Sequence, residues 1–359
     1  MTTVPRLDRL SDLAIDVFMW AFRAAIILVV VLGSALTLLS GKYTINDWFE
    51  FVGNGLTLGS IYAMIALGYT MVYGILRMIN FAHGEFFMGG AFGGYFAAVA
   101  LAQAGALTDN ILSSLIAIVI MILVAMAVSV GLAMGVERVA YRPLRNAPTL
   151  VPLISAIGAS LFLQYTFRGF FGSGIYAYPN VPFLDARAPI PLLNMRWVDV
   201  LVVVAAFCMM GGLYLLVMRS KIGTAIRAVS EDKGTAALMG IDANRAIVLT
   251  FVIGAAMAGA AGVLYGLSFR QVTFAMGIVP GIKAFTAAVL GGIGSVPGAM
   301  LGGLFLGLIE AVGPTLFLSG FGVPSVTQLK DVVAFTMLVL VLVFRPSGIL
   351  GERIARGRA

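Results

Sequence analysis

The residues able to do chemistry are few, and their spacing narrows what that chemistry is. His83 is the sole histidine and Cys208 the sole cysteine. No His/Cys metal cluster can be assembled from them, and no Ser/His pair can form away from His83. The lysines are Lys42, Lys221, Lys233, Lys283 and Lys330, and none lies in a G-x-x-x-x-G-K-[ST] phosphate loop. The chain therefore hydrolyses no ATP by such a loop, and nothing in it suggests a membrane-bound enzyme. Its positive signals are of another kind. Residues 77–84 read Arg-Met-Ile-Asn-Phe-Ala-His-Gly and are followed by Glu85, a dense polar cluster between apolar runs. One reading is a gate or hinge: Asn80, His83 and Glu85 bond across helices while Gly84, Gly89, Gly90, Gly93 and Gly94 admit close backbone approach. The other is an interfacial turn whose polar groups only cap two helices.

A second cluster lies at 291–298, Gly-Gly-Ile-Gly-Ser-Val-Pro-Gly. It divides the apolar stretch 282–313 into two pieces, each expected to be too short to cross a bilayer. We read a re-entrant hairpin turned at Gly291, Gly292 and Gly294. Broken backbone at membrane depth is tolerated only where it packs in protein or lines a wet cavity, which makes the hairpin part of a translocation path. Residues 88–94 and 288–294 echo each other with paired glycines in opposite halves of the chain. The echo raises an internal inverted repeat with the path at its interface, against ordinary close packing through small residues. Glu310 is the one acidic residue of the apolar segments far from a basic loop, and its role is open. So few buried carboxylates argue against ion-coupled transport and for power supplied from outside the chain.

These residues must be positioned by a membrane framework. The 359-residue chain is 60% hydrophobic and 11% charged, with a mean hydropathy of +1.03; soluble domains carry about 25% charged residues. The expected fold is all-α, a polytopic helical bundle. Spans of suitable length fall at 24–40, 53–76, 86–104, 111–136, 150–167, 198–218 and 246–268, with a weaker one at 327–344, giving about eight crossings plus the hairpin. An interrupted apolar stretch at 13–40, with Asp16 and Arg23 in it, reads as an extra anchoring helix rather than a signal peptide. The division expected is 1–45 as an N-terminal extension, 46–350 as the main membrane domain and 351–359 as a basic tail.

Basic residues set the orientation. With the N-terminus (Arg6, Arg9), Arg77, the loop with Arg138, Arg142 and Arg145, the loop with Arg219, Lys221, Arg227, Lys233 and Arg245, and the tail (Arg345, Arg353, Arg356, Arg358) in the cytoplasm, fifteen basic residues lie inside and seven outside, with Arg23 at a membrane edge. The loop 219–245 carries two helix-compatible pieces, 225–229 and 235–239, with a stop at Gly240. Its interleaved apolar and charged residues suit docking into a partner's groove better than lying on lipid headgroups.

At these motifs the chain resembles the H-type permease subunit of bacterial branched-chain amino acid ABC transporters. The matching segments are LGYTMVYGILRMINFAHGE (67–85), YRPLR (141–145), LISAIGASLFLQ (153–164), residues 223–241 and FTAAVLGGIGSVPGAMLGGLFLGLIE (285–310). The resemblance covers about residues 48–350. It implies a multi-pass protein of the bacterial inner membrane with both termini cytoplasmic, importing leucine, isoleucine or valine. It further implies a related but different second permease subunit, two cytoplasmic ATPases that use ATP, and a periplasmic binding protein. No metal or cofactor of the chain's own is implied. By position, Arg227, Ala228, Glu231, Asp232, Gly240 and Ile241 fall in the loop through which such permeases engage their ATPases. The N-terminal extension and the long loop 169–197 depart from the pattern. Relatives that import urea, short amides or other amino acids share the scaffold, and a self-sufficient small-solute channel is the alternative from another class.

Overall fold

Small residues, not large ones, set the architecture. The computed structural model describes residues 6–108, 110–145, 147–148, 150–190, 194–344 and 348–350; the basic tail 351–359 and Arg345 lie outside them. The helices are α1 (Arg6–Leu39), α2 (Ile45–Leu76), α3 (His83–Gln103), α4 (Ile111–Val136), α5 (Leu150–Phe171), the short α6 (Pro182–Asp185), α7 (Trp197–Arg219), α8 (Lys221–Glu231), α9 (Lys233–Leu238), α10 (Ala243–Phe269), α11 (Ile278–Gly291), α12 (Val296–Leu318) and α13 (Lys330–Phe344). Two short strands, β1 (Tyr176–Ala177) and β2 (Gln271–Val272), pair antiparallel. Among the described residues, eight helices are long and apolar enough to cross a membrane.

The core is α2, α3, α10 and α12. Gly59 of α2 lies against Leu304, and Gly303 and Gly307 of α12 lie against Ala63 and Gly59. Gly90 of α3 meets Gly259 of α10, and Gly262 meets Ala91. Lipid offers no hydrophobic drive to bring helices together, so close backbone contact through small residues supplies the dispersion energy instead. Helices α4, α5 and α7 form an outer layer with much apolar surface exposed. Helix α1 touches the rest chiefly at its C-terminal end: Gly33 packs on Phe317, the Gly320 amide donates to Thr37 Oγ1 (2.7 Å), and Tyr43 bonds Ser319 (3.0 Å).

The bundle has two chemically distinct ends. One carries the α2–α3 turn at Arg77, the segment 137–148, helices α8 and α9, and residues 348–350. The opposite end carries the β1–β2 ladder and α6, stapled by Arg270 to Asn180 (2.9 Å) and Asp185 and by Arg196 to Asp199 (3.1 Å). The described parts of the loop 169–197, residues 169–190 and 194–197, are thus structured rather than a loose connection. Tyr178 within it donates to the Ala91 carbonyl (2.7 Å), and burial pushes its phenol pKa upward.

Two sequence expectations are corrected here. The stretch 282–313 is not a hairpin of two short pieces. α11 has 14 residues, about 21 Å at 1.5 Å per residue, but α12 has 23, about 34 Å, enough to span a ~30 Å core. Pro297 sits in the first turn of α12, where its missing N–H costs nothing, so it starts that helix rather than breaking it. The segment 270–291 carries the chain from the strand-bearing end to the basic end, and α12 returns it. The eighth long helix is accordingly α12, whereas α13 has only 15 residues. The glycine echo is also not matched in conformation, so the paired glycines do not both lie within an apolar helix. Residues 88–94 are helix interior, whereas 288–294 cover the end of α11 and a turn with Gly292 (φ 105°) and Gly294 (φ 97°) in conformations that favour glycine.

Candidate translocation path and coupling loop

Helix α2 ends because Arg77 adopts a left-handed cap (φ 54°), its amide donating to the Tyr73 carbonyl (2.8 Å). Residues 77–82 then fold back along α2, and α3 begins at His83. Gly68 lies against the His83 ring, eight residues before the end of α2 and so about 12 Å inside it. The polar cluster read as an interfacial turn is therefore deep in the protein, and Asn80, His83 and Glu85 are each 1% exposed.

None of these side chains caps a helix. Tyr141 donates to Asn80 Oδ1 (2.5 Å), Ser160 of α5 donates to Glu85 Oε1 (3.1 Å), and the His83 ring packs edge-on against Tyr69 with centroids 4.7 Å apart. The cross-helix arrangement, not the capping one, is what the fold builds. Gly84 makes it possible: a Cβ there would strike the Gly277 carbonyl just before α11, and Gly281 abuts Gly84 as well. The first turns of α3 and α11 meet backbone to backbone. Asn80 Nδ2, His83 Nε2 and Glu85 Oε2 are buried with no protein hydrogen-bond partner among the described residues. Buried polar atoms are nearly always paired, so three unpaired ones within six positions set this cluster apart from the rest of the core.

Glu310 does not join this cluster. It is buried in α12, where Lys283 of α11 donates to its Oε1 (2.6 Å), as does the Tyr62 hydroxyl (3.3 Å). Lys283, counted among the outside charges on sequence, is 2% exposed and also lies 2.6 Å from Asp331 of α13. Gly291, Gly292 and Gly294 sit apart from both clusters, at the basic end. There the Ile349 and Leu350 amides donate to the carbonyls of Leu290 (2.8 Å) and Gly291 (3.0 Å). Tyr69, Tyr141, Ser160, Tyr62, Lys283, Asp331 and Gly277 were not singled out on sequence. Only Lys283 left a signal there, as a lone charge in an apolar run.

The loop 219–245 folds as expected in outline. Ser220 Oγ accepts the Gly223 amide (3.0 Å) to start α8, and Asp232 Oδ1 accepts the Gly234 (2.7 Å) and Thr235 (3.1 Å) amides to start α9. Those bonds, with one from the Thr235 hydroxyl, hold the exposed Asp232 carboxyl below the usual carboxylate range. Gly240 (φ 80°) ends α9 as a left-handed residue. Ile226, Val229 and Ala236 are buried against the bundle, Ala228 and Ile241 are half-buried, and Arg227 and Glu231 are exposed. Leu238 and Met239, 88% and 78% exposed, project at the tip. The loop is tied to the polar cluster's own turn: Arg77 Nη2 donates to the Ser230 carbonyl (3.3 Å). Arg145 pairs with Glu137 and donates to Asn244 Oδ1 (2.5 Å), joining the α4–α5 connection to α10.

A family profile described as "Branched-chain amino acid transport system / permease component" matches residues 51–342. The high-affinity branched-chain amino acid transport system permease protein BraD of Pseudomonas aeruginosa is 47% identical over 86% of this chain and 97% of its own. LivH of Escherichia coli, a permease of the same description, is 44% identical over 83% of this chain and 94% of its own. A solved inward-facing metal-chelate type ABC transporter is similar at 16% identity and a TM-score of 0.44, over 88% of this chain and 97% of that one.

Proposed function

The chain belongs to the branched-chain amino acid transport system permease family, and on that footing we propose that it forms the lipid-embedded passage of a bacterial importer for leucine, isoleucine and valine. It is a multi-pass membrane permease of an ABC transporter and not an enzyme. Such permeases work with ATPase and substrate-binding partners and a second permease. In the arrangement proposed, two cytoplasmic ATPases hydrolyse ATP, a periplasmic protein delivers the amino acid, and the second permease is related but not identical. The basic end faces the cytoplasm of the inner membrane with both termini, as the positive-inside rule favours.

The solute's route runs past Asn80, His83, Gly84 and Glu85, where unpaired polar atoms meet the joined starts of α3 and α11. Arg227, Ala228, Glu231, Asp232, Gly240 and Ile241 frame the ATPase contact. The observation that carries this coupling is the pair of exposed apolar side chains, Leu238 and Met239, at the tip of a loop whose Ile226, Val229 and Ala236 pack inward. The bond from Arg77 to Ser230 supplies a mechanical link from that contact to the polar cluster. Gly291, Gly292 and Gly294 shape the turn that lets α11 stop short of a full span, and Glu310 fixes α11 to α12.

The test is reconstitution of the transporter with ATPases and binding protein, followed by uptake of leucine against urea. Leucine uptake that needs ATP, together with loss of the ATPase on purification of Glu231→Lys/Gly240→Trp, is expected. Energised uptake untouched by those changes would overturn the coupling assignment, and a preference for urea would overturn the cargo.

A further inference from the structure

At the basic end, a cavity of about 150 Å³ opens between three segments. Each contributes one cation to its lining: Arg77 from the α2–α3 turn, Arg145 from the α4–α5 connection, and Lys233 from the first turn of α9. Tyr141 and apolar residues such as Leu76 and Pro152 also line it, and among the described residues no carboxylate does. Two acids close in sequence to the lining residues are already engaged. Glu137 is held by Arg145, and both Asp232 oxygens are taken up by α9 amides and the Thr235 hydroxyl. Arg145 Nε is buried without a hydrogen-bond partner, although the two other guanidinium nitrogens are satisfied. Arg77 and Lys233 bring two charges that no carboxylate answers among the described residues, Arg145 already being paired with Glu137, and its unmet buried donor adds to the cost.

We propose that this cavity binds a phosphate-bearing anion, either the headgroup of an acidic phospholipid or free inorganic phosphate. The charge set calls for an anion. Guanidinium forks match phosphate oxygens, and a lysine ammonium serves as a point charge beside them. The volume is that of a cavity holding a benzene-sized guest, which admits a phosphate group and excludes a nucleotide. The absence of a lining carboxylate rejects a zwitterionic amino acid, whose ammonium would face three cations. Bound there, the anion bridges the turn leading to Asn80, the α4–α5 connection and the ATPase-facing helix α9. The site sits beside the coupling contact proposed above but does not depend on which solute is carried, so either reading stands if the other fails.

The assembled transporter, delipidated in neutral detergent, is titrated with inorganic phosphate by calorimetry. In parallel it is reconstituted into phosphatidylcholine vesicles with or without phosphatidylglycerol, and retained lipid is read by native mass spectrometry. Lys233→Gln, at an exposed residue that the fold does not need, should weaken binding about tenfold, the size of one charge-assisted hydrogen bond. Arg77→Gln should do the same. Arg138→Gln, an exposed cation at the same end but off the cavity, should leave binding unchanged. Binding of phosphate names the free anion, and retention of phosphatidylglycerol alone names the lipid. Binding of neither probe, or equal weakening by all three variants, would overturn the site.

Discussion

Replacing Lys283 by methionine tests whether the charge pair between α11 and α12 is a mutual necessity or a source of net stability. Its side chain is 3% exposed and that of Glu310 is 1% exposed, at 2.6 Å. At an effective dielectric near 20 the attraction is about 6 kcal/mol, and removing each ion from water costs several kcal/mol. The pair therefore comes close to balancing. Lys283→Met removes the attraction but leaves the Glu310 carboxylate buried with only Tyr62 as donor, a loss of about 3–5 kcal/mol. Asp331 is 46% exposed at its side chain, but the Oδ1 that faces Lys283 is buried and also loses its partner, which adds to that loss. The double variant Lys283→Met/Glu310→Leu removes both ions and should lie within about 1–2 kcal/mol of the parent. Equilibrium unfolding in mixed micelles, run as a double-mutant cycle, reads the difference. A single variant within about 1 kcal/mol of the parent, or a double variant as unstable as the sum of the two singles, would refute the reasoning.

Three further outcomes are expected. Gly84→Val places a side chain against the Gly277 carbonyl, so thermal stability should fall by about 1–3 kcal/mol through overpacking; an unchanged melting curve would mean that α3 and α11 do not touch there. Tyr141→Phe removes the donor to Asn80 and leaves a buried amide oxygen unmatched, a cost of about 1–3 kcal/mol in the same unfolding measurement. Because the Asp232 carboxyl is held below its ordinary range, its contribution to α9 is present above the ordinary carboxylate pKa of about 4 and is lost as pH falls through the lowered folded value. Amide exchange at Gly234 and Thr235 should therefore stay protected down to about pH 4 and lose protection only below it; loss near neutrality would contradict the cap.

The membrane helices were legible because a bilayer demands long apolar runs, and the α8–α9 pair because Gly240 is a local stop signal that needs no tertiary context. Depth was not legible. Residues 77–85 look alike in sequence whether they turn at the surface or fold back beside Gly68, since the choice depends on Gly84 meeting Gly277, almost two hundred positions away. The pairing of Lys283 was likewise not legible, because its partners Glu310 and Asp331 lie on other helices and nothing local links the three. The glycines at 88–94 and 288–294 share composition but not conformation: the former receive neighbouring helices, whereas the latter bend the chain. Glycine spacing alone does not separate those uses.

The pairing of residues 349–350 with the carbonyls of Leu290 and Gly291 has a practical side. The end of a half-length helix, free of any long connecting loop, is clasped by the last described stretch of the polypeptide. A truncation that stops ahead of Gly348 strips that clasp and leaves two carbonyls at the glycine turn without their donors. An affinity tag or fluorescent fusion is best joined beyond Leu350, where it inherits a fixed anchor without disturbing the element it reports on.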